Sequence, residues 1–205
     1  MMTPQQSDHY IEQLAQAAVF DGWSVSVMSA VAKELELEPA FVFEAFATPL
    51  DAIDAHSRLG DRRLKQFVED DGLEGVEGVK AKLHHLIMQR FEQAQPVKEA
   101  IRKAVAQLNM PPNQLRASKA TLATCDLLWR LVEGDATDSR STPSFYSKRG
   151  LLAGVYVSSL FAWLDDDDPQ MEKTSGFVAA RLDNVTNTFG LVRKVGDKLA
   201  ALFRR

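Results

Sequence analysis

Apolar side chains recur at spacings of three and four residues along nearly the whole chain, and no segment shows convincing alternation with a period of two. This spacing puts the apolar residues of each segment on one face of an α-helix, and it disfavours half-buried strands. Prolines and glycines interrupt the pattern at several points, above all at residues 71–78 and at the Pro111–Pro112 pair. The sequence therefore predicts an all-α fold, a bundle of about ten helices.

Four helices are predicted before the first glycine-rich break. They cover residues 8–20, a segment after Ser24, residues 39–46, and a long helix opened by Pro49. Proline suits the first position of a helix, where its missing N–H is not needed. We interpret residues 1–70 as a helix-turn-helix-like head with its connecting helix, residues 71–190 as a helical body, and residues 191–205 as a C-terminal amphipathic helix.

The body is predicted to hold helices five to nine. In helix seven the spacing predicts one inward face, made of Leu115, Ser118, Leu122, Cys125, Trp129 and Val132. Asp168 is predicted to cap helix nine, with Pro169 at its first position. The helix before it, residues 145–165, contains the near-apolar run 151–164, which is too short to span a bilayer.

The layout of the head is that of a DNA-binding head, but its charge is not. Between Met1 and Ser57 one basic residue, Lys33, faces nine acidic ones, a net charge of 1 − 9 = −8. The segment in the place of a recognition helix, residues 39–46, has three phenylalanines, one glutamate and no base. Since Lys and Arg contacts to phosphates supply much of the affinity for DNA, we expect no DNA binding. The phenylalanines serve either core packing or a protein contact.

The residue types that usually carry chemistry do not form a site in this sequence. Cys125 is the only cysteine, and its place in the pattern predicts a buried thiol. His84 and His85 are adjacent, so they point about 100° apart and cannot hold one metal ion together. The aspartates 165–168 are explained by capping of the next helix. We predict no enzyme activity, no cofactor and no metal.

The most informative stretch of the sequence is the segment from residue 145 to residue 190. It opens with an aromatic pair, a lysine and an arginine, and it continues through a glycine-containing apolar helix into four aspartates and a proline. This pattern resembles the lipid-binding accessory protein family of coenzyme Q (ubiquinone) biosynthesis. That family has a TetR-like fold, which agrees with the tri-helical head found independently. The resemblance is sharpest over residues 145–190; upstream it is one of layout. The residues that carry the resemblance are Phe145, Tyr146, Ser147, Lys148, Arg149, Gly150, Gly154, Phe161, Trp163, Pro169, Phe177 and Arg181.

The resemblance implies a homodimeric, non-catalytic protein that holds an isoprenoid quinone or its precursor and presents it to a ubiquinone-pathway hydroxylase. It also implies a docking patch for that hydroxylase at Phe145, Tyr146 and Arg149. The first aromatic of this pair is usually tryptophan in the family, and phenylalanine here removes an N–H donor. We expect the lipid pocket among helices five to nine, with four apolar lining residues: Leu86, Phe91, Leu122 and Trp129.

Blander interpretations of the same residues stand beside these. Gly150, Gly154 and Ser158 recur every four residues and permit a close helix–helix approach across a two-fold axis, but the helix is equally consistent with burial inside a monomer. Tyr146 and Arg149 are consistent with ordinary surface residues. The alternative function, from another class, is a TetR-type ligand-responsive transcriptional regulator.

The last helix is predicted to be apolar on one side and cationic on the other. Five basic residues and one acidic residue between Asn187 and Arg205 give a net charge of +4. This combination is typical of a helix in a membrane interface, although packing on the protein's own core is the competing interpretation. With no signal peptide recognised, we expect a cytoplasmic protein attached peripherally to the inner face of the membrane. The predicted membrane-contacting residues are Val192, Arg193, Lys194, Val195, Lys198, Leu199, Leu202 and Phe203.

Overall fold

The computed structural model describes residues 2–133 and 143–184, with the backbone alone for 143–147. Every regular element in these ranges is helical, so the all-α prediction is confirmed. Short 3-10 turns precede α6 and α7. The helices are α1 (Pro4–Asp21), α2 (Val25–Glu34), α3 (Pro39–Ala45), α4 (Pro49–Glu69), α5 (Val79–Ala94), α6 (Lys98–Leu108), α7 (Gln114–Glu133), α8 (Pro143–Asp165) and α9 (172–184).

Local capping signals set the helix ends in the head. The side chains of Ser24 and Thr48 accept hydrogen bonds from backbone N–H groups in the first turns of α2 and α4. α1 begins four residues before the predicted start because Thr3 and Gln6 form a capping box there. Gly22, with a φ of +75°, ends it. The predicted order of two helices, a short third helix and a long fourth helix is confirmed.

The chain divides into two compact units, each built from two segments. The first unit comprises residues 1–72 and 89–124, and the second comprises 73–88 and 125–205. The first break falls near the predicted boundary at residue 70. However, residues 89–124, which the sequence pattern assigned to the body, form one unit with the head.

Packing of α1 against α2, α4 and α6 explains this division. The indole Nε1 of Trp23 donates to the carbonyl oxygen of Ala100 at 2.8 Å, joining the end of α1 to α6. Tyr10 is fully buried, its hydroxyl donates to the Met28 carbonyl at 2.9 Å, and burial raises its pKa to about 12. The core of the first unit is therefore completed by α6, which lies some 75 residues further along the chain.

Ion pairs fix the connecting helix α4 within the first unit. Arg90 NH2 lies 3.1 Å from Asp61 Oδ1 and donates to the Ser57 carbonyl at 3.0 Å. The carboxylate of Asp61 also accepts from Thr124 Oγ1, and its burial raises its pKa. A side chain at Gly60 would collide with the Arg90 guanidinium, its Cβ lying 2.0 Å from one nitrogen. Two further ion pairs join α4 to α1: Arg62 pairs with Asp8, and Arg63 pairs with Glu12.

The predicted inward face of α7 is correct in its second half and wrong in its first half. Cys125 is fully buried and Trp129 is 8% exposed, whereas Leu115 and Leu122 are 68% and 47% exposed. Helical spacing alone put all four on one stripe, but the structure buries that stripe only in the later turns of the helix. Leu128, which the predicted face did not include, is fully buried.

The aspartate-rich turn between α8 and α9 caps helix nine, as predicted. The Asp168 carboxylate accepts from the backbone N–H groups of Gln170 and Glu172, at 3.0 and 3.1 Å. Asp166 accepts from the backbone and hydroxyl of Thr174 at 3.0 and 2.7 Å, and these bonds lower its pKa. The prediction of Pro169 at the first helical position is wrong: α9 starts at residue 172, because the chain first completes a turn.

Candidate functional site at the α7–α8 junction

Charged side chains join the end of α7 to the start of α8 within the second unit. Asp126 Oδ1 lies 2.5 Å from Arg149 Nε, and its other oxygen lies 3.1 Å from Arg130 Nε. Asp126, Arg130 and Glu133 share one face of α7 because they are spaced by four, three and seven residues. The Arg149 side chain is only 11% exposed. It is therefore a partly buried link between two helices.

A second link lies one turn further along α7. Lys148 Nζ donates to both carboxylate oxygens of Glu133, each at 3.2 Å. The same ammonium lies 5.3 Å from the ring centroid of Trp129, which is a cation–π distance. Trp129 thus sits on the helix face between Asp126 and Glu133, with α8 charges around it.

Trp129 has an unsatisfied polar atom at this junction. Its side chain is 8% exposed, its Nε1 is buried, and no residue in the described part of the chain accepts a hydrogen bond from that N–H. Most buried polar groups in folded proteins have a partner. The α7–α8 junction therefore presents a buried donor that is available to an acceptor.

The four predicted pocket residues fall into different environments. Leu86 is fully buried and Phe91 is 1% exposed, and Trp129 lies at the junction just described. Leu122 is 47% exposed. Leu86 and Trp129 belong to the second unit, while Phe91 and Leu122 belong to the first. A shared pocket lining for these residues stays a prediction.

The predicted docking patch is only partly within the described residues. Arg149 lies at the junction, paired with Asp126, whereas the side chains of Phe145 and Tyr146 lie outside the description. The predicted membrane helix, residues 191–205, also lies outside it. Within the described ranges no helix combines the length and the apolar character needed to cross a bilayer.

One face of α8 is buried and the opposite face is exposed. The buried side chains include Leu152, Val155 and Trp163. The exposed stripe consists of Gly150, Gly154, Val157 and Phe161, spaced by four, three and four residues, with Val157 and Phe161 at 36% and 44% exposure. A Cβ added at either glycine would meet no atom within 4 Å. The stripe is therefore an uncharged helix surface that is exposed among the described residues.

The short helix α3 has acidic and phenylalanine side chains at the positions where the recognition helix of a DNA-binding protein has lysine and arginine. Phe41 is 46% exposed, while Phe46 is 5% exposed and stacks on Tyr10 with ring centroids 5.8 Å apart. Both predicted uses of these phenylalanines thus remain in view: Phe46 fills the core and Phe41 is available for contact. The glutamates around α3 are exposed: Glu34, Glu36, Glu38 and Glu44.

Other candidate residues have structural partners. Cys125 is buried, as predicted. His84 Nε2 lies 3.1 Å from the carbonyl oxygen of Ser175 and 3.2 Å from its hydroxyl. Among residues 2–133 and 143–184 there is no group of three or more His, Cys, Asp or Glu side chains that could hold a metal ion.

Comparison with solved structures gives the class of fold. A crystal structure of a TetR transcriptional regulator from Nitrosomonas europaea superposes with a TM-score of 0.67, covering 87% of this chain and 97% of that one. The sequences are 16% identical, so the likeness concerns the fold alone. The predicted TetR-like fold is confirmed.

Comparison of sequences narrows the resemblance. The sequence model of the COQ9 family matches residues 115–188. A protein of Dictyostelium discoideum described as a probable ubiquinone biosynthesis protein coq9, mitochondrial, is 31% identical over 86 residues. These residues are 42% of this chain and 27% of that protein, so the match spans about a quarter of the relative's length. The predicted resemblance to a ubiquinone-biosynthesis family with a TetR-like fold is confirmed.

Sequence reasoning missed the acidic half of the junction. Asp126 and Glu133 were not singled out, although their spacing around Trp129 places all three on one face of α7. The available signal was the pair of adjacent bases, Lys148 and Arg149, at the start of a mainly apolar helix. Two such bases require acidic partners if they become buried.

Proposed function

We propose that this chain is a non-catalytic, isoprenoid-lipid-binding protein of ubiquinone biosynthesis that presents a quinone precursor to a ring hydroxylase at the membrane. The proposal rests on the position of the COQ9-family match along the chain. Residues 115–188 contain nearly all of α7, the whole of α8 and the described part of α9. That segment holds the junction with its buried donor and the exposed α8 stripe.

Lipid extraction from the purified protein tests the core of the proposal. We expect mass spectrometry of the extract, and native mass spectrometry of the intact protein, to show an isoprenoid quinone or a precursor at up to one molecule per chain. An unrelated helical protein purified from the same cells serves as the control for carry-over. A protein that carries no isoprenoid lipid and takes up none from micelles would contradict the proposal.

A homodimer formed through α8 and α9 is part of the same proposal. The glycines of the exposed stripe permit close approach of a second helix, and Val157 and Phe161 supply apolar area to bury. Gly154→Leu should fold normally, since its side chain meets open space in the single chain, but should block the approach. Light scattering after size exclusion should show a dimer for the wild type and a monomer for this variant. Ser118→Leu, on the exposed side of α7, is the matched control.

Docking of the hydroxylase is proposed at Phe145, Tyr146 and Arg149. Because Arg149 is paired with Asp126, its contribution would be to fix the first turns of α8 that carry the aromatic pair. The affinity for the purified pathway hydroxylase should therefore decrease in the Asp126→Asn variant as much as it does in Arg149→Gln. A strong loss with Arg149→Gln and none with Asp126→Asn would instead indicate direct contact by the guanidinium.

Membrane attachment is proposed through the basic C-terminal segment. Each Lys or Arg near an anionic leaflet contributes ~1 kcal/mol, so a net charge of +4 corresponds to roughly 4 kcal/mol before apolar insertion. Flotation with vesicles containing anionic lipid should be strong and salt-sensitive, and weak with neutral vesicles. Salt-independent binding to neutral vesicles would contradict the electrostatic component.

The second candidate function is a TetR-type regulator, which the structural likeness favours. The charges of the head oppose it, because exposed glutamates flank α3 and the helix itself has no base. An electrophoretic mobility shift assay with genomic fragments distinguishes the two functions. Tight, sequence-specific retardation at physiological salt would favour the regulator.

A further inference from the structure

The indole N–H of Trp129 combines burial with the lack of an acceptor. The side chain is 8% exposed, and within the described residues nothing accepts from Nε1. Water in the bulk solvent therefore compensates little for the missing bond. A buried donor in this state costs free energy, and a native fold usually supplies a partner for it.

We infer that Trp129 Nε1 donates a hydrogen bond to a ring oxygen of the bound lipid. This inference rests on the proposed function and names the atom that recognises the head group. An indole N–H is only a donor, so the ligand must offer an acceptor. The carbonyl, ether and phenolic oxygens of a quinonoid or phenolic ring satisfy this requirement, whereas an isoprenoid tail has no acceptor.

The charges around Trp129 agree with this class of ligand. The ammonium of Lys148 lies 5.3 Å from the indole centroid and is held by Glu133 at 3.2 Å. A cation beside the donor favours an electron-rich oxygen and disfavours a positively charged ligand group. The site therefore suits a neutral or anionic oxygenated ring.

The position of Trp129 also connects binding with delivery. Asp126 and Glu133 flank it on α7, and their partners Arg149 and Lys148 belong to the early turns of α8. The proposed docking patch lies in those same turns. A ring that is hydrogen-bonded to Trp129 would thus be held beside the N-terminal turns of α8, where the hydroxylase is proposed to bind.

Indole proton resonances of the full chain provide a direct test. The protein has three tryptophans, so a sample labelled with ¹⁵N at the indole gives three N–H signals, assigned by single Trp→Phe variants. Adding decylubiquinone should move the Trp129 signal downfield, as expected when an N–H acquires an acceptor. Decylbenzene, which has the tail but no oxygen, should not. The Trp23 signal is an internal control, because its N–H already donates to Ala100.

Affinity measurements provide the second arm of the test. We expect Trp129→Phe to weaken decylubiquinone binding about tenfold, the usual loss for one hydrogen bond, and to leave decylbenzene binding unchanged. Ser159→Ala is the matched control. The Ser159 hydroxyl is also buried without a described partner, but it lies ~15 Å along α8 from Arg149, which marks the junction. This variant should bind both probes as the wild type does.

The outcomes separate the two levels of the proposal. If decylubiquinone binds to the wild type while the Trp129 signal stays in place, lipid binding stands and the hydrogen bond is refuted. An equal loss for both probes in Trp129→Phe would also refute it, since packing alone would then explain the effect. If neither probe binds the wild type, the proposed function itself fails.

Discussion

Two buried tryptophans, Trp23 in the first unit and Trp129 in the second, each lie next to a helix junction, and they differ in one bond. In the first unit, Trp23 donates to the Ala100 carbonyl at 2.8 Å. In the second unit, Trp129 is buried to a similar degree but finds no acceptor among the described residues. The first unit uses its indole to hold α1 against α6. Among the described residues of the second unit, the indole N–H of Trp129 makes no such link.

Ion pairs link helices in both units. In the first unit, Arg90 and Asp61 fix α4 against neighbouring segments, in the helix that joins the head to the body. In the second unit, Asp126 and Arg149 link α7 to α8, and the side chains of Val157 and Phe161 on α8 are exposed. The α7–α8 junction and the exposed stripe of α8 both lie in the segment that resembles the COQ9 family.

The largest effect we predict comes from breaking the buried ion pair of the first unit. Arg90→Met leaves Asp61 with its charge in a largely buried place and should lower the free energy of unfolding by about 3–5 kcal/mol. Urea denaturation measures this loss. Arg62→Met removes an exposed pair with Asp8 and should cost less than about 1 kcal/mol. Equal costs for the two variants would contradict the assignment of a special role to Arg90.

The pH dependence of the first unit should depend on His56. Burial, with nearby Arg90 and Arg63, lowers its pKa to about 4 from 6.5. Between these values the unfolded chain binds a proton that the folded protein does not, so stability falls as the pH falls from about 6.5 to about 4. In His56→Phe this dependence should shrink by up to about 3 kcal/mol across that window. Parallel pH profiles for the variant and the wild type would show that His56 does not contribute.

The two tryptophans should respond differently to the same substitution. Trp23→Phe removes the indole donor to the Ala100 carbonyl, which lies within α6 and keeps its helical acceptor role, so a loss of about 0.5–1.5 kcal/mol is expected for the missing hydrogen bond. Trp129→Phe breaks no hydrogen bond to the described residues and should cost less. Thermal unfolding of lipid-free samples compares them. A larger loss at Trp129 would invert the comparison and indicate a partner within the chain.

The smallest effect is predicted on the exposed side of α7. Leu122→Ala should change the free energy of unfolding by less than about 0.5 kcal/mol, because the side chain is already 47% exposed. Leu128→Ala, at a fully buried position of the same helix, should cost about 2–5 kcal/mol. If the lipid or a second copy covers Leu122 in solution, its substitution will affect binding and leave the stability of the free chain unchanged.

Short-range signals made much of the head predictable. Ser24 and Thr48 provide caps, and Pro39 and Pro49 occupy first helical positions, so α2, α3 and α4 begin where the sequence indicates. The start of α1 was misplaced, because a capping box at Thr3 matters more than the first apolar residue. These interactions join residues within one turn, and for that reason the sequence reveals them.

Longer-range interactions could not be predicted in the same way. The exposure of Leu122, the pairing of Arg149 with Asp126 and the place of residues 89–124 beside the head depend on which helices pack together. The period of an apolar stripe fixes the side of a helix, but it carries no information on how far along the helix a neighbour reaches.

The sequence by itself determined an all-helical chain, a strongly acidic head and a resemblance to a quinone-biosynthesis family, since these follow from periodicity, charge and the residues of the motif. Only the tertiary structure decided that Arg149 is an interhelical link and that the buried N–H of Trp129 has no acceptor among the described residues. The reason is physical: a hydrogen bond or ion pair depends on two groups meeting within about 3 Å, and the fold sets that distance.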